Sequence, residues 1–92
     1  MNTYAVEYTY TEDSQALDEH RGAHREFLRA LMPDPLVVAG AYQDGAPGAL
    51  LVVRADAAAQ VEELLDADPF HIQGLISDRR IRLWNPGIGQ IG

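Results

Sequence analysis

Residues 15–31 read QALDEHRGAHREFLRAL, and their spacing decides how the rest of the chain is arranged. Leu17, His24 and Leu31 recur at seven-residue intervals, and Phe27 and Leu28 fill the three- and four-residue offsets between them. That is the period of one helix face turned toward a core. His24 therefore falls on the apolar stripe, where both ring nitrogens need partners and those partners set the protonation state. Gly22, two residues earlier, costs on the order of 1 kcal/mol against alanine inside a helix. It suggests a kink or the close approach of another group.

Strands flank this helix. Upstream, Tyr4, Val6, Tyr8 and Tyr10 alternate with Thr3, Ala5, Glu7 and Thr9, the period-two pattern of a strand. Residues 11–14 (TEDS) supply the turn and helix cap. Downstream, Pro33-Asp34-Pro35 stops the helix, and residues 36–42 (LVVAGAY) and 49–54 (ALLVVR) read as apolar strands. Residues 43–48 (QDGAPG) form the hairpin loop between them. Helical spacing returns over residues 55–67, with Val61, Leu64 and Leu65 as its stripe and Asp56 as its expected cap. Asp68-Pro69 ends it, because a residue before proline is pushed out of helical geometry. Residues 70–74 read as a short connection, and a last strand runs from Gly74 to about Trp84. Its polar middle, residues 77–80, is expected at an edge or a turn.

The order β-α-β-β-α-β is that of a split βαβ, ferredoxin-like α+β domain: a four-stranded antiparallel sheet with both helices on one face. Residues 1–86 form this single domain, and residues 87–92 a glycine-rich tail. The two middle strands are apolar at nearly every position, as in strands covered on both sides. Two helices cover one side only, so a homodimer packed sheet to sheet is expected.

Composition narrows the partners. The 92 residues include 47% apolar side chains, enough for a core, and no cysteine, which excludes disulfides, thiolate zinc sites and a cysteine nucleophile. The net charge is −7, and all 7 basic residues are arginines. Nucleic acid, which needs a basic footprint, is not an expected partner, although Arg79, Arg80 and Arg82 cluster near the C-terminus. No run approaches the roughly 20 apolar residues of a membrane span, and the N-terminus lacks a basic, signal-like region. A cytoplasmic protein without membrane association is expected.

Asp68 is the acid best placed to answer His24. It lies where the second helix ends, fixed by Pro69 and flanked by Phe70, and the two helices lie side by side in this topology. A carboxylate there would fix the imidazole tautomer and leave the other nitrogen to act as a base. On the residues alone, a core histidine and a helix-ending aspartate are the simpler readings. Arg21 would bind an anionic group bidentately or pair with Asp18 or Glu19. Tyr8 lies nearest a pocket under the first helix. Gly40 marks either a close backbone approach there or a bulge. His20 and His24, at i,i+4, would hold a metal only if Asp68 joined them; nothing else supports one, and neither metal nor cofactor is expected.

Arg21-x-x-His24, the element Ala67-Asp68-Pro69-Phe70 and the β-α-β-β-α-β frame resemble the YCII-related (YciI-like) family of the dimeric α+β barrel superfamily, over about residues 3–84. The resemblance implies dimeric ferredoxin-like protomers with His24 and Asp68 as the site. One branch of the family removes chloride from a chlorinated hydroxyhydroquinone, and wider relatives include muconolactone isomerases and cofactor-free monooxygenases. Gly22 departs from the family pattern, where a proline is common, and the tail matches nothing in it. The expected function is general acid/base chemistry by His24 and Asp68 on a small cyclic or aromatic organic acid, giving isomerisation or elimination. Arg21, Tyr8, Gly40 and Phe70 complete the expected substrate-binding set. The rival readings are a non-catalytic small-molecule-binding or accessory domain and a purely structural dimerisation module.

Overall fold

The tyrosine-rich first strand becomes the centre of the molecule. In a computed structural model that describes residues 1–89, the chain runs β1 (Asn2–Tyr10), α1 (Ser14–Ala30), β2 (Leu36–Ala41), β3 (Gly48–Ala55), α2 (Ala58–Leu65), α3 (Pro69–Ile72) and β4 (Ile76–Leu83). The strands form one antiparallel sheet in the order β2-β3-β1-β4. That is the ferredoxin-like arrangement.

Register decides which side chains share a face. Tyr4, Val6 and Tyr8 of β1 lie opposite Val53, Leu51 and Ala49 of β3. All six are buried, and with Leu36, Val61 and Leu65 they make the main core. A smaller cluster of Leu17, Phe70 and Leu75 joins α1 to α3. The alternate positions look away from the helices. There Leu50, opposite Glu7 and Gly40, is 39% exposed, and Val38, opposite Val52, is 38% exposed. The second face of the sheet is open in the protomer.

Several local expectations change. The second helix starts at Ala58, not Ala55, because Ala55 still pairs with Asn2 in the sheet. Asp56 does not cap it: Ala57 holds that position, and the Gln60 side chain accepts from the backbone N–H groups of Asp56 (2.7 Å) and Ala57 (3.3 Å). The expected connection after Asp68 contains a turn of helix, α3. The polar run 77–80, expected at an edge or a turn, is regular strand at the edge of the sheet, in β4. Gly22 lies in an unbroken helix, and a Cβ there would meet nothing within 4 Å, so the expected close approach is absent. Residues 90–92 of the expected tail lie outside the described residues. Among the described residues, no helix is long and apolar enough to cross a membrane.

Candidate functional site

The site grows from the joint between α2 and α3. Asp68 has extended backbone angles, φ −61° and ψ 125°, as a residue before proline should. Pro69 then occupies the first helical position, where a missing N–H costs nothing. The Asp68 carboxylate caps the turn, its Oδ1 accepting from the Phe70 N–H at 2.9 Å. The turn itself thus holds this carboxylate in place.

Two more donors meet it. His24 Nδ1 lies 2.7 Å from Asp68 Oδ1, and the Tyr8 hydroxyl donates to Oδ2 at 3.1 Å. A carboxylate only accepts, so the imidazole hydrogen belongs on Nδ1. Asp68 is 0% exposed and His24 7%; a buried charge of this kind needs such partners. The imidazole also stacks on the Phe70 ring, centroids 4.0 Å apart and planes within 4°. Tyr10 meets both rings edge-on, at 6.3 Å from His24 and 5.3 Å from Phe70. His24 is held on three sides.

Its Nε2 has no protein partner among the described residues, and His24 borders a cleft of about 260 Å³ between α1 and the β2–β3 half of the sheet. Ala39, Gly40, Ala41, Ala49 and Leu51 line the strand side. Tyr10 and Phe70 line one end, and Arg21, Arg25 and Leu28 descend from the helix. Burial and the nearby Asp68 charge push the Tyr10 phenol up to about 12, with Arg21 opposing. Tyr8 is raised further, first by burial and then by Asp68.

Of the residues expected from sequence, His24, Asp68 and Phe70 come together around one carboxylate. Arg21 lines the cleft but forms an ion pair with Asp18. Gly40 lines it too, although a Cβ there would meet no protein atom within 4 Å. Tyr8 does not border the cleft; it turns its hydroxyl to Asp68. No three His, Asp or Glu side chains among the described residues converge as a metal-ligand group, so His20 does not join His24 and Asp68. Arg79, one of the C-terminal arginines, turns inward to Asp66 at 2.8 Å, while Arg80 and Arg82 take the open face.

Tyr10 and Arg25 were not anticipated as site residues. Tyr10 shares the β1 face with Tyr8, two residues on, and that periodicity was the available signal. Arg25 carries no comparable mark, since only the position of β2 beneath α1 makes it a wall of the cleft.

An antiparallel four-stranded sheet with its helices on one face thus carries a buried His–Asp pair beside a cleft. The family model of the YCII-related domain matches residues 2–85, and the chain belongs to that family. Among solved structures it is similar to the 5-chloro-2-hydroxyhydroquinone dehydrochlorinase of Burkholderia phenoliruptrix AC1100, in complex with 2,5-dihydroxybenzoquinone. The TM-score is 0.81 and the identity 20%, over 92% of this chain and 95% of that one. A Deinococcus radiodurans protein, named provisionally as an antibiotic biosynthesis monooxygenase, aligns over 100% of both chains at 18% identity. Its TM-score of 0.45 is too low to inform fold or function. No curated protein matches.

Proposed function

We propose that the protein is a small-molecule enzyme in which His24 is the general acid/base, oriented by Asp68, acting on a small cyclic or aromatic organic acid. The observation that carries this reading is the division of labour within one imidazole. Nδ1 is held by Asp68 at 2.7 Å, while Nε2 is left without a protein partner on a residue that borders the cleft. A histidine serving only the core would have both nitrogens answered by protein.

The chemistry follows from that division. Nε2 takes a proton from a carbon next to a carbonyl or enol, and the C–H electron pair moves into the substrate as an enolate. The resulting imidazolium is stabilised by the Asp68 carboxylate. Returning the proton to another carbon is isomerisation. In elimination the former C–H pair forms a new C=C bond while the bond to the leaving group breaks, and the leaving group departs as an anion with that bond's electrons. The dehydrochlorinase activity named for a structure of the same fold makes elimination the first branch to test. Phe70 and Gly40 bound the substrate space, Arg21 lines its mouth while paired with Asp18, and Tyr8 acts through Asp68 rather than on substrate.

We also infer a homodimer packed sheet to sheet. The open face carries Val38 and Leu50 with Tyr42, whose hydroxyl donates to Glu7 at 2.8 Å. Apolar side chains grouped on one face favour coverage by another copy, and the clefts, on the opposite face, stay accessible.

The test is hydrogen–deuterium exchange of carbon-bound protons in cyclic 1,3-diketones and hydroxyquinones, followed by NMR in D₂O. Wild-type protein should accelerate exchange, and His24→Gln should slow it about 100-fold or more, with Asp68→Asn intermediate. Equal rates in wild type and His24→Gln would remove the acid/base role. Binding without exchange would favour the non-catalytic small-molecule-binding reading.

A further inference from the structure

The charge around the cleft runs against that of the whole chain. The protein carries 14 acidic residues and 7 arginines, yet no Asp or Glu lines the cleft, and Arg21, Arg25 and His24 do. The arginines are not equivalent. Arg21 is committed to Asp18, whereas Arg25, the residue after His24, forms no ion pair among the described residues and is exposed. The facing wall is apolar and built of small side chains, with Ala39, Ala41 and Ala49 around Leu51. Tyr10 adds a phenol whose hydroxyl has no protein partner among the described residues and which keeps its proton well above neutral pH. It can therefore donate a hydrogen bond to an anionic oxygen.

We propose that Arg25 is the specificity-determining residue of the cleft, taking the anionic oxygen group of a single-ring organic acid whose apolar edge lies over Ala41 and Leu51. This rests on the proposed reading of the same site and deepens it by naming what selects the substrate. The size agrees: about 260 Å³ falls just below the range of roughly 300–1,000 Å³ typical of pockets for larger, drug-sized ligands. A guanidinium offers a carboxylate two parallel donors. In a protein of net charge −7, the surrounding field repels anions, so a free cation at the mouth is what lets an anion in.

The experiment uses the full chain and two probes of the same shape, benzoate and its neutral isostere benzamide, titrated into ¹⁵N-labelled protein at neutral pH and low salt. Benzoate is expected to shift the amide signals of His24 and Arg25 and to bind about tenfold or more tighter than benzamide, the scale of one charge-assisted hydrogen bond. Arg25→Gln should bring benzoate down to the benzamide level. Arg29→Gln removes the same charge one turn further along α1, from a residue outside the cleft lining, and should leave benzoate selectivity in place. Added salt should weaken benzoate and not benzamide. Equal affinity for the two probes, or equal losses in Arg25→Gln and Arg29→Gln, would overturn the assignment. Selective binding without His24-dependent exchange would leave this inference standing and remove the acid/base reading; exchange without charge selectivity would do the reverse.

Discussion

Replacing Tyr8 with phenylalanine is the sharpest probe of how the site is held. The ring is 1% exposed and keeps its shape in the substitution, so packing changes little. What is lost is the hydroxyl that donates to Asp68 Oδ2 at 3.1 Å. Oδ1 keeps its donors, His24 Nδ1 and the Phe70 N–H, but Oδ2 is left with no protein donor among the described residues. A hydrogen bond to a charged group contributes about 1.5–3 kcal/mol, so Tyr8→Phe should cost about 2 kcal/mol. In a domain of this size each kcal/mol lowers Tm by about 4–8 °C, which gives a fall of about 8–16 °C. Urea unfolding followed by circular dichroism, at one fixed protein concentration, should show a lower midpoint with an unchanged slope. Tyr10→Phe is the control. Its hydroxyl has no protein partner among the described residues, so it should cost less than about 0.5 kcal/mol, the usual range for changes that break no buried contact. If the two variants lose the same amount, the Tyr8–Asp68 bond contributes nothing to stability, and the picture of a carboxylate held from both oxygens is wrong.

Two other outcomes follow from the same coordinates. The Tyr10 phenol is raised to about 12 in the folded chain, against about 10 when unfolded. Between these values the unfolded chain gives up its proton and the folded chain keeps it, so the unfolded state binds fewer protons and stability falls as pH rises. The raised Tyr8 and Tyr42 phenols act in the same direction. Denaturation midpoints should hold steady up to about pH 10 and drop beyond it; a level profile through pH 11 would contradict the buried phenols. Leu50→Glu, on the open face of the sheet, should shift the sedimentation of the inferred dimer to that of a monomer while leaving the far-ultraviolet spectrum intact. An unchanged sedimentation coefficient would place the partner copy elsewhere.

The fold was legible where one period ran unbroken. Tyr4 to Tyr10 alternated cleanly enough to give β1 and its buried face, and Leu17, His24 and Leu31 placed the histidine on the inner side of α1. Asp68-Pro69 marked where the helical pattern has to stop, because proline constrains its neighbour whatever the tertiary context. But α2 ends earlier, at Leu65 with Asp66 as its C-cap, and not at Ala67. The four-residue α3 was missed because it is too short to show a period, and its cap is the residue already read as a terminator. Residues 77–80 were readable as an edge or a turn, and the edge is what they form, because edge strands admit polar side chains that inner strands do not. Arg25 was hidden for a geometric reason: it lies about 100° around the helix from His24, off the apolar stripe, and becomes part of the cleft only because β2 passes below. Tyr8 and Tyr10 were both visible as inward-facing, but which of the two reaches the carboxylate and which reaches the cleft depends on distances no alternation pattern encodes.

Asp68 begins one helix, orients one imidazole and anchors one phenol, and a substitution at Asp68 itself touches all three at once. Its backbone conformation is dictated by Pro69 and its side-chain direction by the Phe70 N–H, so the acceptor that aims His24 is in place as soon as that turn has formed. The pairing of His24 with Asp68 is thus built into the packing of α1 against α3. Heritable change is channelled accordingly. Substitutions around Asp68 put the whole domain at risk, whereas Arg25 and the small residues of the opposite wall can be exchanged while the folded core stays as it is. Diversification of such a site is therefore expected in what it admits, with the buried His24–Asp68 pair held constant.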